Sequence, residues 1–112
     1  MISIDLSPEE RDLLRQGLLE WGGPARCSEE MAIAIGFRSV AELLEESVKI
    51  ADILLTATSM RELDWRRVLL ATEIVFVSNV VGSGIDWVNT TGMSDEETIA
   101  ILRSVQRKIS YA

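Results

Sequence analysis

Histidine is absent from the 112-residue chain, and cysteine occurs once, as Cys27. Without histidine the chain lacks the commonest general base and the commonest metal ligand. One cysteine excludes an internal disulfide and a cysteine-clustered metal site, and no histidine can serve as the base for its thiol. No G-x-S-x-G, P-loop, EF-hand or C-x-x-C pattern is present. We therefore predict no metal and no cofactor, and we favour a binding protein over an enzyme.

Basic residues are also few, with 11 lysines and arginines against 18 aspartates and glutamates, and the net charge is −7. A protein that binds nucleic acid needs a basic surface to meet the phosphates, so this balance argues against a nucleic-acid partner. It permits a basic protein partner, because opposite charges accelerate association, although solubility alone is the commoner reason for a moderate negative charge. Homo-oligomer formation stays open.

The sequence has no long uncharged apolar run. Its most apolar part, Asp64 to Trp87, is interrupted by Glu73, so no segment reaches the ~18 apolar residues of a membrane span. No signal-peptide pattern is visible at the start of the chain. We expect a cytoplasmic protein without a membrane partner, folded as one helical domain over residues 1–112.

Ser-x-x-Glu patterns, which are typical of helix N-termini, occur four times, beginning at Ser7, Ser39, Ser59 and Ser94. The pattern predicts an all-α fold, a compact bundle of four main helices plus one short helix. The main helices are expected over about 7–21, 39–57, 59–81 and 94–109, and the short one over about 28–36.

The central helix, 59–81, is expected to be buried, because apolar residues cover most of its circumference. Ser59 and Glu62 would form its capping box, and Gly82 would end it. The alternative is a β-hairpin within 72–91, since Thr72 to Val81 is rich in β-branched residues and Gly82-Ser83-Gly84 could turn the chain.

The helix that begins at Ser39 carries the main candidate for partner binding. Four acids, Glu42, Glu45, Glu46 and Asp52, are expected on one side, and Leu44, Val48 and Leu55 are expected among the residues that face inward. Trp87, in the glycine-rich loop 82–93, could add an apolar anchor for a partner, or it could equally fold back as a lid on the core.

The spacing Glu42-x-x-Glu45 resembles the E-x-x-E helix of the all-α nucleotide pyrophosphohydrolases. The resemblance implies a Mg²⁺ held by carboxylates together with substrate phosphates. That family also has an E-x-x-D motif on a facing helix, and this chain has no such motif. A carboxylate–Mg²⁺ nucleotide phosphohydrolase is therefore an alternative function, and a solvated helix face is the interpretation we favour.

Glu73 lies among aliphatic residues and must be paired, exposed or shifted in pKa. One hypothesis is a polar pocket formed by Arg66, Glu73, Asn79 and Asp86, which would suit a regulatory domain that binds a small molecule. The competing hypothesis, which we favour, is a charge satisfied by pairing or by solvent.

The leading hypothesis is a small acidic helical protein that binds another protein. Its function could be to neutralise a basic partner, in the manner of bacterial immunity proteins or antitoxins. It depends on charge, size and the missing catalytic groups.

Overall fold

A computed structural model describes residues 1–23, 25–57 and 59–112. The order of elements is β1 (Ile2–Ser3), α1 (Pro8–Leu19), α2 (Glu29–Ile35), α3 (Val40–Thr56), β2 (Ser59–Met60), α4 (Glu62–Val77), α5 (Trp87–Thr91) and α6 (Asp95–Ser110). Short 3₁₀ turns, Glu20–Gly22 and Gly84–Asp86, follow α1 and precede α5. The predicted all-α class is confirmed, with four long helices, α1, α3, α4 and α6. In the described ranges two helices are short, α2 and α5, where one was predicted.

Serine side chains begin four of the helices. Ser7, Ser28, Ser39 and Ser94 each precede a helix and accept a hydrogen bond from the backbone N–H three residues later. At Ser7 the Glu10 carboxylate also accepts from the Ser7 backbone N–H, which completes a capping box. These starts are the ones that the local sequence predicts.

The central helix is confirmed, but both of its ends lie inside the predicted 59–81. Ser59 and Met60 pair antiparallel with Ser3 and Ile2, so Ser59 is extended and does not cap α4. The C-terminal end comes at Val77, because Ser78 is extended, at φ −78° and ψ 121°, and Gly82 lies beyond the helix. The hairpin alternative for 72–91 is wrong, since this segment contains the end of α4 and all of α5.

Helix α1 lies at the centre of the bundle and packs against α3, α4 and α6. The buried residues form one core, to which α4 contributes the face that carries Trp65, Val68, Ala71, Val75 and Phe76. No helix in the described ranges is both long enough and apolar enough to cross a membrane.

The inward face of α3 differs from the predicted one. Its buried positions are Leu43, Ser47, Ile50, Ala51 and Leu54, at the helical spacing of three and four residues. The polar Ser47 obscures this pattern in the sequence. The prediction that Leu44, Val48 and Leu55 face inward is wrong, because all three are at least 39% exposed.

Gly17 of α1 allows α1 and α4 to approach closely. A Cβ at this position would lie 2.7 Å from Thr72 Cβ and 2.8 Å from Thr72 Cγ2, well inside van der Waals contact. Thr72 is fully buried, and its hydroxyl donates to the Val68 carbonyl at 2.9 Å, so it is held in place. A larger residue at Gly17 would therefore push the two helices apart.

We predict that Gly17→Ala destabilises the protein by about 1–3 kcal/mol, the usual cost of overpacking, although alanine is the better helix former. Urea denaturation would measure the loss. In a Thr72→Ala background the loss should be smaller, because the threonine methyl and hydroxyl are gone. Gly22→Ala is the control, since nothing lies within 4 Å of its added Cβ. Equal stability of Gly17→Ala and the parent would contradict the close packing.

Candidate functional site

The solvent-facing side of α3 carries an apolar stripe, formed by Leu44, Val48 and Leu55. Successive helical residues are separated by about 100°, which places these three within about 40° of one another around the axis. Their exposed fractions are 39%, 52% and 55%. The stripe therefore presents aliphatic surface on a rigid helix of four to five turns.

Two of the four predicted acids on α3 face α4 instead of a partner. The Glu42 carboxylate lies 3.8 Å from the Arg67 guanidinium of α4 and 3.6 Å from Arg38. Arg67 is itself well buried and also reaches Asp64 at 3.4 Å. Glu46 is one helical turn from Glu42, so it also lies toward α4. Much of the charge on this side of α3 is thus balanced inside the molecule.

The other two predicted acids, Glu45 and Asp52, border the apolar stripe. Both are exposed, and both lie about 40–60° around the helix from Val48. Lys49 lies between Glu45 and Glu46, at 3.3 Å and 3.8 Å from their carboxylates. The hydrogen bond to Glu45 raises the pKa of Lys49. Asp52 and Glu45 are therefore the carboxylates best placed to meet a ligand that covers the stripe.

The opposite border of the stripe is formed by α1. Arg15 Nε donates to the Ala51 carbonyl at 2.9 Å, and Arg11 donates to the carbonyls of Leu54 and Ala57. These bonds show that α1 and α3 run antiparallel, with Arg15 opposite Ala51. One turn further along α1 comes Leu19, which is 40% exposed and lines a groove with Arg15, Thr91 and Met93.

Trp87 is buried, as the alternative of a lid on the core expected, so the interpretation of Trp87 as an exposed anchor is wrong. Its side chain is 0% exposed, and its indole N–H donates to Thr98 Oγ1 of α6 at 2.8 Å. Its ring meets Phe76 edge to face, with centroids 5.4 Å apart. Loop 82–93 folds back through α5, which inserts Trp87 into the core between α4 and α6.

The four predicted pocket residues lie in different places. Arg66 is largely exposed and lies 3.7 Å from Glu62, near the start of α4. Glu73 is half-buried and accepts a hydrogen bond from the neutral Gln106 amide of α6 at 2.6 Å. Asn79 and Asp86 belong to the loop after α4, and the last residue of α4, Val77, is about 16 Å along the helix axis from Arg66.

Grooves near these residues are shallow. One of about 310 Å³ is lined by Ile2, Trp65, Arg66, Leu69 and Ile109, among others. Another, of about 260 Å³, includes Asn79, Ile85 and Asp95. In the part of the chain that the structure describes, no three cysteine, aspartate or glutamate side chains come together as a ligand set for a metal ion.

Two buried carboxylates, Glu10 and Glu20, were not singled out from the sequence. Glu10 accepts from Lys108 Nζ at 2.6 Å and from Ser104 Oγ at 2.6 Å, which joins α1 to α6. Glu20 accepts from Ser83 Oγ at 2.8 Å and from Thr90 Oγ1, which joins the end of α1 to α5 and the loop before it. The sequence signal is weak, because each resembles an ordinary solvent-facing helix glutamate.

Comparison with protein families, curated proteins and solved structures finds no match to this chain.

The Glu10 carboxyl makes the stability of the protein depend on pH in the acidic range. Burial raises the pKa of its carboxyl, but hydrogen bonds from Lys108, Ser104 and the Ser7 backbone outweigh burial and lower that pKa from 4.5 to about 2. A lowered folded-state pKa stabilises the protein above the unfolded-state value, and this stabilisation is lost as the pH falls from about 4.5 toward 2.

We predict that Glu10→Gln lowers the free energy of unfolding by up to roughly 3 kcal/mol near neutral pH. The difference from the parent should shrink steadily below pH ~4.5, where the unfolded-state carboxyl begins to bind a proton. Urea denaturation across this pH range would measure it. Glu9→Gln, an exposed neighbour on α1, is the matched control. A difference that does not change with pH would show that the Glu10 charge contributes nothing.

Proposed function

We propose that this chain is a small acidic protein-binding module that docks a basic partner on α3. The observation that carries the proposal is the apolar stripe of Leu44, Val48 and Leu55, exposed on a rigid helix and bordered by Glu45 and Asp52. Protein interfaces commonly have an apolar centre with a polar, charged rim, and the outer side of α3 has this arrangement.

Rigidity supports the choice of α3. Its N-terminus is capped by Ser39, whose hydroxyl accepts from Glu42 N at 3.0 Å. Near its C-terminus, Arg11 and Arg15 of α1 bind the carbonyls of Ala51, Leu54 and Ala57. Fixed at both ends, the helix loses little conformational freedom when a partner binds, so more of the contact energy remains as affinity.

The charge distribution supports a basic partner. The net charge of −7 gives a long-range attraction for a cation-rich surface. At close range Glu45 and Asp52 are the acids beside the stripe. Glu45 also contacts Lys49 at 3.3 Å, and Glu42 is balanced by Arg38 and Arg67. Neutralisation of a toxin-like basic protein, as bacterial immunity proteins and antitoxins do, is the finer form of this proposal.

The alternative carboxylate–Mg²⁺ site on α3 has less physical support. The Lys49 ammonium lies between Glu45 and Glu46, within 3.8 Å of both, and occupies the position that a bridging cation would need. Glu42 faces Arg67. For the alternative of a regulatory domain, the candidate ligand site is the groove beside Arg66. The Arg66 guanidinium already lies 3.7 Å from the Glu62 carboxylate, which balances its charge.

Kinetic measurements on a partner identified through the neighbouring gene would test the proposal. Glu45→Lys with Asp52→Lys should slow association and weaken its salt dependence, because rim charges mainly steer the encounter. Val48→Ser should instead speed dissociation by about tenfold, since it removes the centre of the apolar contact. Surface-plasmon measurements at two ionic strengths separate the two effects.

Glu9→Lys is the control for these variants, because Glu9 is an exposed acid of α1 on the side away from α3. It changes the net charge without changing the border of the stripe. If the double lysine variant and Val48→Ser both bind with the parent's kinetics, α3 is not the docking surface.

A further inference from the structure

Three large apolar side chains around the C-terminal end of α4 are more exposed than those of α3. Val77, Val80 and Ile85 are 71%, 88% and 78% exposed, and we call them the loop patch. Val77 and Ile85 line one groove, and Val80 lies between them in the chain, so exposed apolar side chains are concentrated in this loop. Concentrated exposed apolar surface is a feature of interaction sites.

The loop that carries the patch is tightly hydrogen-bonded. Ser78 Oγ accepts from the backbone N–H groups of Val80 and Val81, at 3.3 Å and 3.2 Å. Asn79 Oδ1 accepts from Ile85 N at 3.1 Å, and Ser83 N donates to the Val75 carbonyl at 2.7 Å. The backbone that presents Val80 and Ile85 is therefore fixed from within the loop.

Gly84 allows this compact conformation. Its φ is +50°, in the left-handed region that favours glycine, and a Cβ there would lie 2.5 Å from Asn79 Cα. The two sides of the loop approach too closely for any side chain at this position. The residue types thus specify the loop shape locally.

Glu20 fixes the loop to the rest of the fold. Its buried carboxylate accepts from Ser83 of the loop and from Thr90 of α5. The Arg26 backbone N–H donates to the Val81 carbonyl at 2.6 Å. A buried carboxylate thus holds in place a loop whose apolar side chains project into solvent, which is how a preorganised binding surface is built.

The loop patch has an acidic rim. Val77 and Ile85 line the shallow groove of about 260 Å³ together with Phe76 and Asp95. Asp86, which is exposed, follows Ile85 directly. A ligand that covers the groove would therefore meet the Asp95 carboxylate, with Asp86 next to Ile85 in the chain.

We propose that the loop patch is a second docking surface, for a protein segment that carries an apolar side chain flanked by lysine or arginine. A second copy of this chain would bring acidic rims and two net charges of −7 together, which opposes self-association. An anionic membrane surface meets the same repulsion. The loop patch is separate from the surface proposed on α3. It follows the C-terminal end of α4, whereas Leu44 and Val48 lie on the side of α3 that points away from α4.

Methyl NMR on the full chain, with isoleucine, leucine and valine labelled, would test the second surface. The probe is a short synthetic peptide with leucine flanked by lysines, and the matched probe replaces lysine with glutamate. The lysine peptide should shift the methyl signals of Val77, Val80 and Ile85 in a salt-sensitive way, and the glutamate peptide should not. Val80→Ser should weaken the binding of the lysine peptide by about tenfold, and Asp86→Lys should weaken it by a similar factor.

Both variants should keep the fold, because Val80 and Asp86 are exposed, and Val48→Ser is the matched control on α3. Shifts at Val48 and Leu44 alone would support the α3 proposal and overturn this one. Shifts at the loop patch alone would support the second docking surface and would not support binding of this peptide on α3. Equal shifts with both peptides, or loop-patch shifts produced by raising the protein concentration or by vesicles of phosphatidylcholine and phosphatidylglycerol, would also overturn it.

Discussion

The close contact between Gly17 of α1 and Thr72 of α4 sets the spacing on which the other elements depend. It brings the Trp21 indole N–H within 3.2 Å of the Ala71 carbonyl, to which it donates. With α4 fixed against α1, two further sets of bonds attach the remaining long helices. Arg11 and Arg15 hold α3, and the Glu10–Lys108 pair holds α6. Because α1 contributes to every one of these contacts, a shift of α1 against α4 would disturb all three interfaces together.

Polar side chains that bind another element recur in this small fold. A domain of about 112 residues buries a modest apolar core, so specific hydrogen bonds across elements help to define one arrangement. Trp65 donates to the Ile2 carbonyl at 2.8 Å, Trp87 to Thr98, and Arg67 to the Gly36 carbonyl at 2.9 Å. These contacts fix the frame from which the apolar stripe and the loop patch project. The exposed aliphatic side chains therefore have defined positions, which favours recognition over non-specific adhesion.

Local signals in the sequence were sufficient for the fold class and for most helix starts, since a serine cap and an acid three residues later act within one turn. The start of α4 was placed wrongly because Ser59 pairs with Ser3, a contact between distant parts of the chain. The inward face of α3 was placed wrongly because its buried Ser47 breaks the apolar pattern. Among the described residues, the Ser47 hydroxyl finds no hydrogen-bond partner. Trp87 could not be assigned, since a tryptophan in a glycine-rich loop suits an interface and a core equally. Glu42 could not be distinguished from Glu45 until the side facing α4 was known.

The acidic residues divide by what they contact, and this division bears on function. Glu10 and Glu20 are buried and hold elements together. Glu9, Glu29, Glu30, Glu96 and Glu97 lie in the first turns of helices, where the helix dipole favours negative charge. Glu42 is balanced by arginines. Glu45 and Asp52 border the apolar stripe, and Asp86 and Asp95 lie beside residues of the loop patch, although Asp95 is also in the first turn of α6 and Glu45 also contacts Lys49. Exposed acids elsewhere, such as Asp5 and Asp12, belong to none of these groups. The four carboxylates beside the exposed apolar residues are the ones that the proposed binding surfaces would use as a charged rim, and the exposed acids elsewhere suit solubility.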